Sequence, residues 1–238
     1  MKGYNQFCPV AKTAEVFAER WTPLIVRELC YGPKRFGDLH FAIPLMSRTL
    51  LARRLRDLAE AGVVSIEPKE SGRGHVYRLT EAGEALRPII EAMGDWGQRW
   101  AQGKVEPGDL DAELLVWGMR RQIDPRELPD RDFVVRFEFS GLPKRQRNRR
   151  YWWLVLRPDD IEVCLKDPGL SVDVVVVADL AAFTRVWMGY SGLAEAVAAG
   201  TVAFSGSGRA VATLRRILKL ADRPTIRKFT LRPWPATA

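Results

Sequence analysis

The sequence predicts two domains, a mainly helical domain followed by an α+β domain with an antiparallel sheet covered by helices. A chain of 238 residues is long enough for two ordinary domains, and 47% hydrophobic residues supply material for their cores. Helical apolar periodicity dominates up to Trp100, whereas the longest β-type runs, such as VDVVVV at 172–177, lie after residue 130. The stretch QGKVEPGDL separates the two patterns. We therefore expect a first domain at 1–101, a linker at 102–110 and a second domain at 111–238.

Four helices and a hairpin are predicted in the first 79 residues. Thr22-Pro23 is typical of a helix start, Pro44 ends a short helix, and Ser47 and Gly62 bound the next one. A turn at 70–74 separates two strand-like runs. The predicted helices are 10–20, 22–30, 36–43 and 47–61, and the predicted strands are 63–69 and 75–79. Three helices, a basic helix and a hairpin directly after it form the winged helix-turn-helix pattern.

The helix at 47–61 has two chemically different faces. Its apolar stripe recurs at intervals of four and three residues: Leu51, Leu55 and Leu58. At about 100° per residue, the opposite face is polar and basic: Thr49, Arg53 and Arg56. By itself this pattern is more often that of a solvated surface helix. The hairpin that follows, together with six basic residues and one acidic residue between Lys34 and Arg56, favours a helix that reads the DNA major groove.

Composition excludes several other classes of protein. The net charge of +8 favours a polyanionic partner, either nucleic acid or an anionic membrane surface. Three widely spaced Cys and two His argue against a zinc site and a disulfide framework. No catalytic nucleophile–His–carboxylate set or phosphate-binding glycine loop is apparent, so we expect no enzyme. Without a signal peptide or an apolar run of about 20 residues, we expect no membrane insertion and a cytoplasmic location.

A longer helix follows Thr80 and carries an extended apolar stripe. The stripe comprises Leu86, Ile89, Ile90, Met93, Trp96 and Trp100. Two interpretations remain open: the stripe packs onto the winged-helix core or the second domain, or it forms a homodimer interface. The second interpretation fits the two half-sites that helix-turn-helix proteins usually bind.

The first hundred residues resemble the HxlR family of bacterial winged-helix transcription regulators. The resemblance is carried by CPV at 8–10, RWT at 20–22, LIVREL at 24–29, GPKRFGDL at 32–39, residues 50–63, YRLTEAG at 77–83 and WG at 96–97. One departure is PLMS at 44–47, where many members have a Gly-Ile-Ser-Pro-like segment, and this change bears on base preference.

The resemblance implies a homodimeric repressor or activator that binds double-stranded DNA. The implied contacts to base edges are Ser47, Arg48, Thr49 and Arg53, and the implied contacts to phosphates are Lys34, Arg35, Arg54 and Arg73. Dimerisation through the first and last helices of the domain would involve Val10, Phe17, Leu86, Ile90, Met93 and Trp96.

Cys8 lies where several HxlR-like regulators keep a redox-responsive cysteine. The alternative is a small buried side chain at the start of the first helix. Because no second Cys is near in sequence, a disulfide formed by Cys8 would join two subunits. A regulator that senses oxidant through Cys8, with a purely structural second domain, is therefore an alternative interpretation.

The second domain resembles the sterol carrier protein type-2-like domain. The resemblance is carried by residues 172–218, in which a valine-rich strand precedes LAAFTRVWMG at 180–189, AEAVAAGTV at 194–202 and Gly206. It implies an apolar cavity for a lipid-like effector, with no other cofactor. Candidate lining residues are Trp152, Leu154, Val174, Val176, Phe183, Trp187, Met188, Leu193, Val197 and Leu214. The alternatives are an ordinary filled core, or a lipid carrier that retains a winged domain.

Overall fold

The computed structural model describes residues 3–69, 74–101, 106–158, 160–225, 229 and 231. The chain divides into two compact units. The first unit extends to Gly94 and includes Phe229 and Leu231, and the second unit begins at Asp95. The division falls within a helix rather than after residue 101. The two described residues near the C-terminus also belong to the first unit, although the sequence assigns them to the second domain.

The first unit contains the predicted series of helices. Side-chain oxygens cap two of them: Ser47 Oγ accepts from the Leu50 amide at 3.3 Å, and Thr80 Oγ1 accepts from the Gly83 amide at 3.2 Å. The predicted helix after Thr80 is divided into two, because Pro88 has no amide hydrogen and its ring would clash with the Glu84 carbonyl. The helices are α1 Pro9–Phe17, α2 Thr22–Cys30, α3 Phe36–Ala42, α4 Arg48–Glu60, α5 Glu81–Glu84 and α6 Arg87–Trp100.

The wing is a three-stranded antiparallel sheet rather than a simple hairpin. Its strands are β1 Lys34–Arg35, β2 Val64–Pro68 and β3 His75–Leu79, in the order β1-β3-β2. Lys34 is in register with Tyr77, so a two-residue strand that the sequence pattern does not indicate covers the edge of β3. Beyond the ends of β2 and β3, the Lys69 amide donates to the Gly74 carbonyl at 3.1 Å, which continues the pairing of the hairpin. Of the predicted turn at 70–74, residues 70–73, with Arg73, lie outside the described residues.

The second unit is an α+β structure with a five-stranded mixed sheet. The strand order is β6-β5-β4-β7-β8. The elements are α7 Ala112–Gln122, β4 Phe133–Ser140, β5 Tyr151–Leu156, β6 Ile161–Cys164, β7 Val174–Asp179, α8 Leu180–Trp187, α9 Leu193–Ala198, β8 Val202–Gly206 and α10 Gly208–Ile217.

The prediction of a wholly antiparallel sheet is wrong at one pair of strands. β4 and β7 are parallel, with Val135 in register with Val174. The cause is the connection: β4, β5 and β6 form an antiparallel meander, and the chain then crosses from the β6 edge to the other side of β4.

Most of the predicted cavity residues belong to a packed core. Phe137 and Phe139 of β4 lie 5.8 Å and 6.1 Å from Phe183 of α8, measured between ring centroids. The lining candidates with at most 1% exposure are Trp152, Leu154, Val174, Val176, Phe183, Leu193 and Leu214. Trp187 and Met188 are half-buried, and Trp187 packs against Gly118 of α7. Val197 is 46% exposed, so its assignment to a cavity lining is wrong. The reason is its position on the short helix α9, where the preceding residue, Ala196, faces inward and Val197 therefore faces solvent.

Candidate nucleic-acid interface

Helix α4 is anchored by leucines and presents an arginine-bearing face to solvent. Leu51, Leu55 and Leu58 are 0%, 1% and 2% exposed. The exposed residues of the opposite face and the N-terminus are Ser47, Arg48, Thr49, Arg53 and Arg56. No acidic residue occurs between Phe41 and Arg56 in the sequence, so this end of the helix combines side-chain cations with the positive end of the helix dipole. The arrangement attracts a polyanion.

Arg54 is the exception among the predicted DNA contacts on this helix. Its Nη2 lies 2.6 Å from Glu19 Oε2, its Nη1 lies 3.3 Å from Asp57 Oδ2, and its side chain is 13% exposed. Arg54 lies three residues after Leu51 and four before Leu58, which places it on the helix wheel beside the leucine stripe, at the edge of the buried face. Arg54 braces α4 against the segment after α1. This spacing is the sequence signal that distinguishes Arg54 from Arg53 and Arg56.

The wing provides basic groups beside α4. Arg35 is exposed and Lys34 is half-buried in the edge strand β1. The Arg35 amide donates to Asp38 Oδ2 at 3.1 Å, which holds the start of α3 next to this strand. Burial raises the pKa of Tyr77 on β3, and the positive charge of Arg56 opposes that shift, which places Arg56 near the wing. Arg56 is an exposed cation on the wing side of α4, and the predicted set of DNA contacts does not include it.

The predicted dimer stripe divides between the core and the surface. Ile90 is 5% exposed, Phe17 is 7% exposed and Leu86 packs against the first unit's core, so these three are not available as an interface. The exposed stripe of α6 is formed by Ile89, Met93, Trp96 and Trp100, which are 41–67% exposed. Their spacing of four, three and four residues places them on one side of the helix. At the start of α1, Val10 is 75% exposed.

The three cysteines are free and differ in environment. Cys8 is half-buried at the N-cap position of α1, where its carbonyl accepts from the Lys12 amide at 3.0 Å. Burial raises the pKa of the Cys30 thiol to about 11, so this group stays protonated at neutral pH. Burial also raises the pKa of Cys164, which is half-buried on β6. Within the described parts of the chain, no group of three or more His, Cys, Asp or Glu is placed to hold a metal ion.

Comparison with known proteins identifies this arrangement of helices and wing. The profile of the HxlR-like helix-turn-helix family matches residues 16–105. The transcriptional regulator YodB of Bacillus subtilis is 36% identical over 111 residues, which cover 46% of this chain and 96% of YodB. The chain belongs to the HxlR-like family. The uncharacterised regulator YvaP of the same organism is 34% identical over 110 residues, covering 45% of this chain and 97% of YvaP.

Solved structures are also similar to part of the chain. The redox regulator HypR in its oxidised form is 31% identical and covers 39% of this chain and 96% of HypR, with a TM-score of 0.37. As a member of the HxlR-like family, the chain is a DNA-binding transcriptional regulator with a helix-turn-helix. None of the helices in the described ranges is long and apolar enough to cross a membrane. The family match ends at residue 105, before α7.

Proposed function

We propose that this HxlR-like regulator binds a two-half-site operator as a homodimer, with α4 in the major groove and the wing on the flanking backbone. The observation that carries the proposal is the two-sided α4: a fully buried leucine face and an exposed arginine face next to a basic wing. A major groove about 12 Å wide accepts one helix, whose exposed N-terminal side chains then reach base edges.

The side chains take three roles. The exposed groups at the N-terminus and on the outer face of α4 read bases: Ser47, Arg48, Thr49 and Arg53. Lys34, Arg35 and Arg73 contact phosphates, and we add Arg56 because it is exposed on α4 and close enough to Tyr77 of the wing to affect its pKa. Arg54 is a positioning residue, since its two carboxylate partners within the first unit already engage its guanidinium.

The exposed side of α6 supplies the dimer contact. Large apolar side chains at this density are unusual on the surface of a monomer, and they form one continuous stripe, Ile89, Met93, Trp96 and Trp100. Val10 at the start of α1 extends the apolar surface available for the contact. A second copy of the chain is the occupant that gives two α4 helices a fixed separation.

Selection of DNA from a random pool, followed by footprinting and a salt titration, tests this proposal. The expected result is an inverted repeat with half-sites about 10 base pairs apart, and an affinity that falls steeply with salt. Enrichment of no sequence, or of a single half-site bound by a monomer, contradicts the proposal.

The second unit supplies the regulatory input in this proposal, by binding an apolar molecule. Support comes from two buried donors on adjacent strands, Trp153 Nε1 and Arg136 Nε, which have no hydrogen-bond partner among the described residues. Arg136 and Trp153 are in direct register across β4 and β5, so both donors lie on the same face of the sheet, and in this proposal a ligand oxygen is their missing partner. Arg136 is already paired with Glu138 at 2.5 Å, which favours a neutral carbonyl or ether oxygen over a carboxylate.

This ligand site lies on the sheet face opposite the predicted cavity. Side chains alternate along β5, so Trp153 points away from the core that contains Trp152. We would denature purified protein, extract it with organic solvent and compare its mass spectrum with that of a mock preparation. A stoichiometric apolar compound with a carbonyl or ether group is the expected result. An empty extract and no ligand-dependent change in DNA affinity would favour a structural second unit.

A second candidate input is oxidation of Cys8. The supporting observation is that Cys8 is free and partly accessible at a helix N-terminus, whereas Cys30 is buried and held protonated. Oxidant would then join Cys8 thiols of two subunits as a disulfide, with two protons and two electrons passing to the oxidant. Loss of the oxidant response of DNA binding in Cys8→Ser supports this input, and a retained response excludes it.

A further inference from the structure

The described residues near the C-terminus are built into the first unit. Leu231 is 4% exposed and belongs to the same apolar core as Ile90, and Phe229 packs partly buried against that core. A single residue separates them in the sequence, and both side chains contact the same core. The segment therefore adds an aromatic and an aliphatic anchor to a core otherwise formed by residues before 95.

Two side chains of α6 bind the backbone of Leu231. Its amide donates to Glu91 Oε1 at 2.9 Å, and its carbonyl accepts from Arg87 Nη1 at 3.3 Å. Arg87 is held in place by Glu84, whose carboxylate is 2.7 Å from Arg87 Nη2. Arg87 and Glu91, one helical turn apart, thus bind the carbonyl and the amide of the same residue. Peptide-binding surfaces also hold a bound segment through hydrogen bonds to its main chain.

Gly94 makes the adjacent part of α6 accessible to an aromatic ring. A Cβ at this position would lie 2.2 Å from the Phe229 ring, so no side chain fits while Phe229 is in place. At Gly97, one turn later on the same helix, a Cβ would meet nothing within 4 Å. The Phe229 ring therefore requires glycine at position 94 of α6 but not at position 97.

The residues of α6 that contact Phe229 and Leu231 form a slot, which lies on the side of the helix opposite the apolar stripe. Arg87, Glu91 and Gly94 follow a spacing of four and three residues and lie about 180° from the line of Ile89, Met93 and Trp96. A segment docked in the slot therefore leaves the stripe open. It also fixes α6 to the helix-turn-helix core from the side that the dimer does not use.

We propose that Arg87, Glu91, Gly94 and the pocket for Leu231 form a docking site for an extended Phe-X-Leu segment. The occupant is this chain's own C-terminal segment. Its docking fixes the orientation of α6 on the core and thereby sets the separation of the two α4 helices in the dimer. This consequence rests on the proposed homodimer.

The test compares Gly94→Ala with Gly97→Ala in the full-length chain. Both substitutions replace a helical glycine of α6 and bring the same gain in helix propensity, but only the first meets the Phe229 ring. Hydrogen exchange at the Leu231 amide is expected to accelerate at least about tenfold in Gly94→Ala and to stay unchanged in Gly97→Ala. Affinity for the selected two-half-site operator is expected to fall at least about tenfold in Gly94→Ala alone, because binding both half-sites depends on geometry.

A labelled peptide of sequence RKFTLRP provides an independent measurement. It should bind Leu231→Asp protein, whose own segment no longer fits the apolar pocket, and should not bind Gly94→Ala protein. Unchanged Leu231 exchange in Gly94→Ala, or no peptide binding, overturns the docking site. If Leu231 exchanges faster in Gly94→Ala but the operator affinities of Gly94→Ala and Gly97→Ala lie within about twofold of each other, the docking site has no role in DNA binding. If the unmodified protein selects no operator, the proposed function fails, while exchange and peptide binding still report on the docking site.

Discussion

Helices α4 and α6 are both anchored in the first unit's core, and they differ in what their outer faces offer. The outer face of α4 has arginines and hydroxyl groups, whereas that of α6 has Met93 and two tryptophans. Core packing requires only one side of each helix. In the proposed function, the chemistry of the remaining side then selects the partner: phosphates and base edges for α4, and another apolar surface for α6.

The largest expected effect comes from charging the apolar face of α6. Met93→Asp places a carboxylate in the proposed dimer contact, where burial of an unpaired charge is unfavourable. We expect monomers in sedimentation experiments and a loss of about 100-fold or more in operator affinity, since two half-sites are no longer bound together. Met93→Leu preserves the apolar contact and should behave like the unmodified protein. A Met93→Asp dimer with normal affinity would place the dimer contact elsewhere.

The next effect separates the two kinds of basic residue around α4. Arg53→Ala removes a proposed base contact, which should reduce affinity for the selected operator by about 1–3 kcal/mol and leave random duplex almost unaffected. Arg35→Ala removes a proposed phosphate contact, so affinity for both duplexes should fall together and the salt slope should decrease by about one unit. Equal losses of affinity for both duplexes in Arg53→Ala would show that Arg53 contacts phosphates rather than bases.

Two neighbouring tryptophans permit a similar comparison within the second unit. Trp152 Nε1 donates to the Arg149 carbonyl at 2.9 Å, whereas Trp153 Nε1 has no partner within the described residues. Both Trp→Phe substitutions remove the same ring volume from a buried position, so both should reduce the free energy of unfolding. Trp152→Phe also removes a hydrogen bond and should therefore cost about 1 kcal/mol more than Trp153→Phe in ligand-free protein. Denaturant unfolding measures the difference, and equal losses in the two variants would contradict the contrast between a bonded and an unbonded indole N–H.

The smallest effect concerns cysteine reactivity. A pKa of about 11 keeps Cys30 protonated through pH 9, so its stabilisation of the folded state is complete below the usual thiol pKa and is lost as pH rises through about 11. In native protein at pH 8 we expect a thiol reagent to label Cys8 and Cys164 and to leave Cys30 unmodified. Peptide mapping measures this order. Labelling of Cys30 as fast as Cys8 would contradict the burial of its thiol.

Local patterns were sufficient to predict the four helices before Thr80 and the two faces of α4. Ser47 caps the helix as expected, and the three leucines of the stripe are buried. The same patterns did not indicate that Arg54 pairs with Glu19, which is 35 residues earlier in the chain. Nor did they separate Ile90, which is in the core, from Ile89, which is at the surface. A wide apolar stripe indicates that a helix is covered on some side, and only the packed neighbours determine which side.

By itself, the sequence determined the winged helix-turn-helix, the basic character of α4 and the α+β nature of the second unit. Periodicity, caps and turns act over a few residues, and these features depend on them. Tertiary structure alone decided the parallel pairing of β4 with β7, the edge strand β1 and the docking of Phe229 and Leu231 on α6. Each of these joins segments that are distant in the chain. Such contacts depend on which backbone groups and apolar surfaces meet when the whole chain closes, and no local pattern encodes that choice.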